Sequence, residues 1–171
     1  MILTGSAIRE SVINGEIIIE PFDEKNLNPN SYNFSIGSYV MVYKNKVLDP
    51  KVKQETIRID IPDEGLLLEP NTLYLGFISE KMGSEYYVPI INGRSSTGRL
   101  GLFVHITANL IDIGSINNWT LQMHAVQPVR IYRDMKIGQV TFWKPYGNIN
   151  LYHGKYQGSV GPMASQIWRD F

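Results

Sequence analysis

Trp119-Thr120-Leu121-Gln122-Met123-His124-Ala125-Val126, Val129-Arg130-Ile131-Tyr132 and Ile137-Gly138-Gln139-Val140-Thr141-Phe142-Trp143 are three short runs rich in β-branched and aromatic residues. Each has the composition and length of a strand. Working outward, the same signal recurs. Ile57-Arg58-Ile59-Asp60-Ile61 alternates strictly and stops at Pro62, as a half-buried strand does. Further strands are predicted at Glu16–Glu20, Ser31–Ile36, Ser38–Tyr43, Leu66–Leu68, Leu73–Ile78, Tyr87–Ile91 and Leu102–Ile106. Glu69-Pro70-Asn71 has turn composition. One helix is predicted near the start. Thr4 caps it, Ala7, Ile8, Val12 and Ile13 fall at helical spacing, and Asn14-Gly15 ends it. Many short strands, 15 Gly and 9 Pro with a single helix predict a mainly β fold, a jelly roll or Greek-key barrel.

The 171 residues are expected to form one domain, 1–171, with enough core to need no staples. Residues 148–171 differ, being rich in Gly, Ser and Tyr with little periodicity. They read either as a functional arm or as a disordered tail. The chain has no Cys, so disulfides, thiolate metal sites and a cysteine nucleophile are excluded. That fits a reducing compartment, and a cytoplasmic location is expected. Sixteen basic residues balance sixteen acidic ones, which argues against charge-driven nucleic-acid binding. Any bound anion should be small and held locally. No apolar stretch approaches the ~20 residues of a spanning helix, so no membrane partner is expected.

The three histidines, His105, His124 and His153, are too far apart in sequence for local metal-ligand spacing, and the His-x-Glu with Pro-Cys-x-x-Cys pattern of zinc deaminases is absent. The densest cluster is Asn92-Gly93-Arg94-Ser95-Ser96-Thr97-Gly98-Arg99-Leu100-Gly101. Glycines let backbone amides approach an anion, and Arg supplies paired donors suited to phosphate. The same residues would equally serve as a polar helix-capping loop with solvated arginines. Tyr152-His153-Gly154-Lys155-Tyr156-Gln157-Gly158 could fold over a nucleotide or be a polar tail. Asp112-Ile113-Gly114-Ser115-Ile116-Asn117-Asn118-Trp119 reads as a β-hairpin turn whose Asp serves the backbone.

Taken together, Gly93-Arg94-Ser95-Ser96-x-x-Arg99-Leu100-Gly101-Leu102-x-Val104-His105-x-Thr107-Ala108, Ile111-Asp112-x-Gly114 and Lys155-Tyr156-Gln157-Gly158 resemble the dCTP deaminase family of the trimeric dUTPase superfamily. Met1-Ile2-Leu3 and Asn28-Pro29-Asn30-Ser31-Tyr32-Asn33 are similar to its opening motif. The resemblance implies a distorted jelly-roll barrel and a homotrimer with nucleotide sites between subunits. It implies zinc-independent hydrolysis of dCTP to dUTP, with Mg²⁺ held through the triphosphate and no metal held directly by protein. Arg94, Ser95, Ser96, Thr97, Gly98 and Arg99 would hold phosphates or the catalytic water. Asp112 would meet the 3′-hydroxyl. The backbone around Ala108, Thr120, Leu121 and Gln122 would read the base. Tyr152, Lys155, Gln157 and Ser159 would close over the triphosphate.

The chain departs from the family at several of these positions. The family's proton-shuttling Glu falls on Gln122, and an amide cannot take a proton from water at neutral pH. Ser115 stands where an aromatic is usual, Asn117 where Gly is usual, Ser159 for a typical Gln, and Asn33 where Asp is frequent. Gln122 is therefore an inactivating substitution or natural divergence, and the neighbouring differences favour divergence. Two alternatives to deamination stand beside it: pyrophosphohydrolysis of the dUTPase type using Asp112, and nucleotide capture without turnover.

Overall fold

The computed structural model describes residues 1–171. The helix α1 spans Gly5–Ile13. Thr4 caps it, its hydroxyl accepting from Ala7 N at 3.4 Å, and Gly15 leaves it at φ +75°. Twelve strands follow: β1 Ile17–Glu20, β2 Tyr32–Ser35, β3 Tyr39–Tyr43, β4 Thr56–Asp60, β5 Leu66–Leu68, β6 Tyr74–Phe77, β7 Lys81–Ser84, β8 Val88–Gly93, β9 Leu102–Phe103, β10 Thr120–Ala125, β11 Val129–Ile131 and β12 Lys136–Trp143. A one-turn helix, α2, occupies Ser95–Gly98 between β8 and β9.

All strand pairs are antiparallel and form four sheets, ordered β1-β7, β4-β3-β6-β10-β9, β11-β5 and β2-β12-β8. The mainly β class with one N-terminal helix is as predicted. The hydrogen-bonded ladders do not close into a barrel; they stop at the edges of separate sheets. The run expected at Leu102–Ile106 is extended only at β9, because the chain leaves the β10 ladder after two residues. The Asp112 segment is a turn closed by Ser115 N donating to Asp112 O at 3.0 Å, without the paired strands of a hairpin.

One apolar cluster of 24 buried residues runs between the sheets. β10 shows how that core fixes the site. Leu121, Met123 and Ala125 point inward and are buried, so Thr120, Gln122 and His124 lie on the opposite face. Residues 148–171 contain no strand. They lie against β3, β10 and the 111–118 turn, ending in a 3₁₀ turn at Ile167–Asp170.

Candidate functional site

A cavity of about 460 Å³ opens on the outer face of β10. Its floor is Thr120 and Gln122 with Leu75, the cross-strand partner of Gln122 on β6. One wall is Ala108, Leu110, Ile111 and Asp112, continuing through Ser115, Asn117 and Trp119. The other wall is the C-terminal segment, through Tyr152, Tyr156, Ser159, Met163 and Ser165, with Tyr43 from β3. The lining is mainly apolar and aromatic with a few polar groups, as suits a flat ring carrying hydrogen-bonding edges.

The C-terminal wall is tied down by two side chains far away in sequence, Thr120 and Tyr43, and by one of its own, Tyr156. Met163 N donates to the Thr120 hydroxyl at 3.0 Å, Ser165 N to the Tyr43 hydroxyl at 3.0 Å, and Gln166 N to the Tyr156 hydroxyl at 2.9 Å. It is also sewn to the Asp112 turn. Tyr152 N donates to Ile113 O at 2.8 Å, Gln157 Nε2 to Gly114 O at 2.9 Å, and Ser159 N to Asn117 Oδ1 at 3.1 Å. Gly114 is required here. It sits at φ +89°, and a Cβ would fall 2.9 Å from Leu151 Cβ and 3.0 Å from Tyr152 N.

Gln122 is half-buried, and its Nε2 donates to Thr120 O at a long 3.5 Å. Its amide is thus weakly held and faces the cavity. Asp112 is exposed at the cavity wall with a free carboxylate. Of the residues named from sequence, Ala108, Asp112, Thr120, Gln122, Tyr152 and Ser159 all line this one space. Leu121 does not: it is fully buried in the core, so only its backbone can face a ligand.

The Arg/Ser loop lies elsewhere. Arg94, Ser95 and Gly98 line a second cavity of about 310 Å³, with Gly93 and Leu102 to His105. Ser95, Ser96, Gly98 and Arg99 are exposed. Arg94 is half-buried, its Nη1 donating to Lys136 O at 3.1 Å, and Arg99 Nη1 donates to Ser95 O at 3.3 Å. Thr97 is turned inward. Its hydroxyl faces Arg94 O at 2.8 Å and Ile137 O at 3.1 Å, which makes it a structural tie rather than an anion donor. α2 forms without a side-chain cap at Arg94, and Arg94 and Arg99 flank it. His105 Nδ1 is buried without a partner in this cavity, and burial pushes the imidazole pKa down. Lys155 lines neither cavity. It is ion-paired with Asp170 of the C-terminal 3₁₀ turn, and its side chain is only 24% exposed.

Sequence reasoning did not place Tyr43, Trp119, Tyr156, Met163 and Ser165 at the site. Tyr156 was visible within the tail cluster, but Tyr43 carries no local signal. It reaches the site only because β3 runs beside β6. No group of three His, Asp or Glu side chains is arranged to hold a metal ion. No helix is long and apolar enough to cross a membrane.

Residues 2–145 match the family model described as dCTP deaminase-like. The chain is 48% identical over 172 aligned positions to the "dCTP deaminase, dUMP-forming" of Clostridium beijerinckii, covering 100% of this chain and 99% of that protein. It is 49% identical to the protein of the same description in Clostridium botulinum strain Alaska E43, with the same coverage. The corresponding protein of Cytophaga hutchinsonii is 44% identical, again over 100% of this chain and 99% of its own length. Among solved structures, the 2′-deoxycytidine 5′-triphosphate deaminase of Agrobacterium tumefaciens superposes with a TM-score of 0.68. That match covers 87% of this chain and 50% of the other at 20% identity, a likeness of fold.

Proposed function

Because the chain belongs to the dCTP deaminase-like family, we propose that it is a deoxycytidine triphosphate hydrolase of the deaminase type, with the base step slowed by Gln122. The observation that carries this reading is the position of Gln122. It faces the cavity from β10, beside Thr120 and opposite Asp112 and Ala108. In this reading the cavity holds the nucleoside. The backbone of β10 and Ala108 reads the cytosine edge, and Asp112 accepts from the 3′-hydroxyl.

Deamination adds water at C4 of cytosine and expels ammonia. The attacking water must lose a proton and the leaving amine must gain one. A carboxylate at position 122 could carry that proton; the Gln122 amide cannot. Conversion of dCTP to dUMP, the reaction in the relatives' description, needs a second water. That water attacks the α-phosphorus and diphosphate leaves. In this reading Asp112, an exposed carboxylate on the same cavity, orients that water. Magnesium would be held by the triphosphate rather than by side chains of this chain, and would supply positive charge against the phosphate oxygens. Incubation with dCTP and Mg²⁺ should release ammonia only slowly. Rapid ammonia release would mean that another group moves the proton. Diphosphate release without ammonia would select the Asp112 pyrophosphohydrolase reading.

The anion loop and the nucleoside cavity are separate spaces within one chain. A triphosphate reaching both is most simply served by two copies, the loop of one meeting the cavity of another. Leu100, Phe103, Ile106, Leu110 and Val126 stand exposed around and beyond the loop, an apolar surface suited to burial between subunits. The expected assembly is a homotrimer. Light scattering at micromolar concentration should give three times the chain mass; a stable monomer would remove the composite site.

A further inference from the structure

Three polar groups of the cavity, Asp112, Ser115 and Asn117, come from one short stretch of chain. Asn117 is 3% exposed and both ends of its amide are committed. Its Nδ2 donates to Ser115 Oγ at 2.9 Å, and its Oδ1 accepts from Ser159 N at 3.1 Å. This fixes the orientation of Asn117 and makes Ser115 Oγ an acceptor. A serine hydroxyl that accepts still has one proton to donate. No group in the chain takes that proton from Ser115, which is 8% exposed and borders the cavity. The donor is therefore available to whatever occupies that space. On the same turn Asp112 offers a carboxylate, which when ionised only accepts.

A donor and an acceptor on one tight turn complement a ligand whose hydroxyls both donate and accept. A pair of neighbouring hydroxyls uses both. The serine side chain is also small, so the cavity is left open where a larger residue would fill it. We propose that Ser115 equips this cavity to take a ribose, donating to the 2′-oxygen while Asp112 accepts from the 3′-hydroxyl. Cytidine triphosphate is then a ligand alongside its 2′-deoxy counterpart. This rests on the reading of the cavity as a nucleoside site with Asp112 at the sugar.

The test is calorimetry of the full chain with CTP and dCTP, each with Mg²⁺. The two affinities should lie within tenfold of each other. In Ser115→Ala the CTP affinity should fall about threefold to tenfold, the worth of one neutral hydrogen bond, while dCTP stays within twofold. The dCTP arm reports that the variant is folded and its cavity intact. If dCTP binds and CTP is more than tenfold weaker, the inference is overturned and the nucleotide reading survives. If Ser115→Ala weakens both equally, Ser115 does not read the 2′-hydroxyl and the assignment falls. If neither nucleotide binds the unsubstituted chain, the nucleotide reading itself falls and takes the inference with it.

Discussion

Gln122→Glu is expected to raise ammonia release from dCTP by more than tenfold. Gln and Glu are nearly isosteric, so the exchange leaves the cavity's shape intact and changes only what position 122 can do with a proton. The present amide has one long bond, 3.5 Å to Thr120 O, so little structure is lost when it is replaced. A positioned general base is worth about 10²–10⁴ in rate, and some of that is forfeited if the water is imperfectly placed. The measurement is ammonia release under saturating dCTP and Mg²⁺, with dCTP affinity followed in parallel. No gain with dCTP still bound would mean that the Ser115–Asn118 segment has already lost the cytosine pose. That result would favour nucleotide capture without turnover.

Arg94→Ala is expected to weaken triphosphate binding by about tenfold to a hundredfold. A hydrogen bond to a charged group contributes about 1.5–3 kcal/mol, and each 1.4 kcal/mol is a factor of ten. Arg94 also donates to Lys136 O at 3.1 Å, so its removal touches the β8–β12 pair. The melting temperature and the deoxycytidine affinity separate these effects, since a nucleoside carries no phosphate. The expected pattern is a large loss for dCTP and little for deoxycytidine. Equal affinity of Arg94→Ala and the parent for dCTP would show that the loop holds no phosphate. Lys155→Ala should cost less. Lys155 begins paired with Asp170, and a triphosphate must exchange one anionic partner for another.

Much of this was legible from residues alone, for local reasons. Thr4 and Asn14-Gly15 bracket α1 because capping and helix exit depend on neighbouring residues only. The alternation of β10 puts Gln122 on the face opposite Leu121 and Met123, whereas the place of Gln122 in the site came from the family resemblance. β7 was not legible. Lys81-Met82-Gly83-Ser84 lacks β-branched residues, and Gly83 is there because Ser115 and Ile116 press on it, a Cβ falling 2.6 Å from Ser115 O. The Asp112 segment was misread because turn chemistry is the same whether or not strands flank it. Here isolated bridges, Ile90 with Leu110 and Met82 with Asn117, replace the ladders of a hairpin. The C-terminal segment stood out by composition, but its path did not. Its backbone is held by the hydroxyls of Tyr43 and Thr120, across 122 and 43 residues of sequence. Such contacts leave no periodic trace.

The central claim is that the β10 cavity holds the nucleoside of dCTP with Gln122 at the base. A crystal structure with dCTP and Mg²⁺ tests it most directly. The account predicts cytosine against β10 with its edge within about 3 Å of Gln122, the 3′-hydroxyl on Asp112, and the phosphates reaching Arg94 of a neighbouring subunit. A nucleotide bound anywhere else, or bound in this cavity with its base turned away from Gln122, would contradict it.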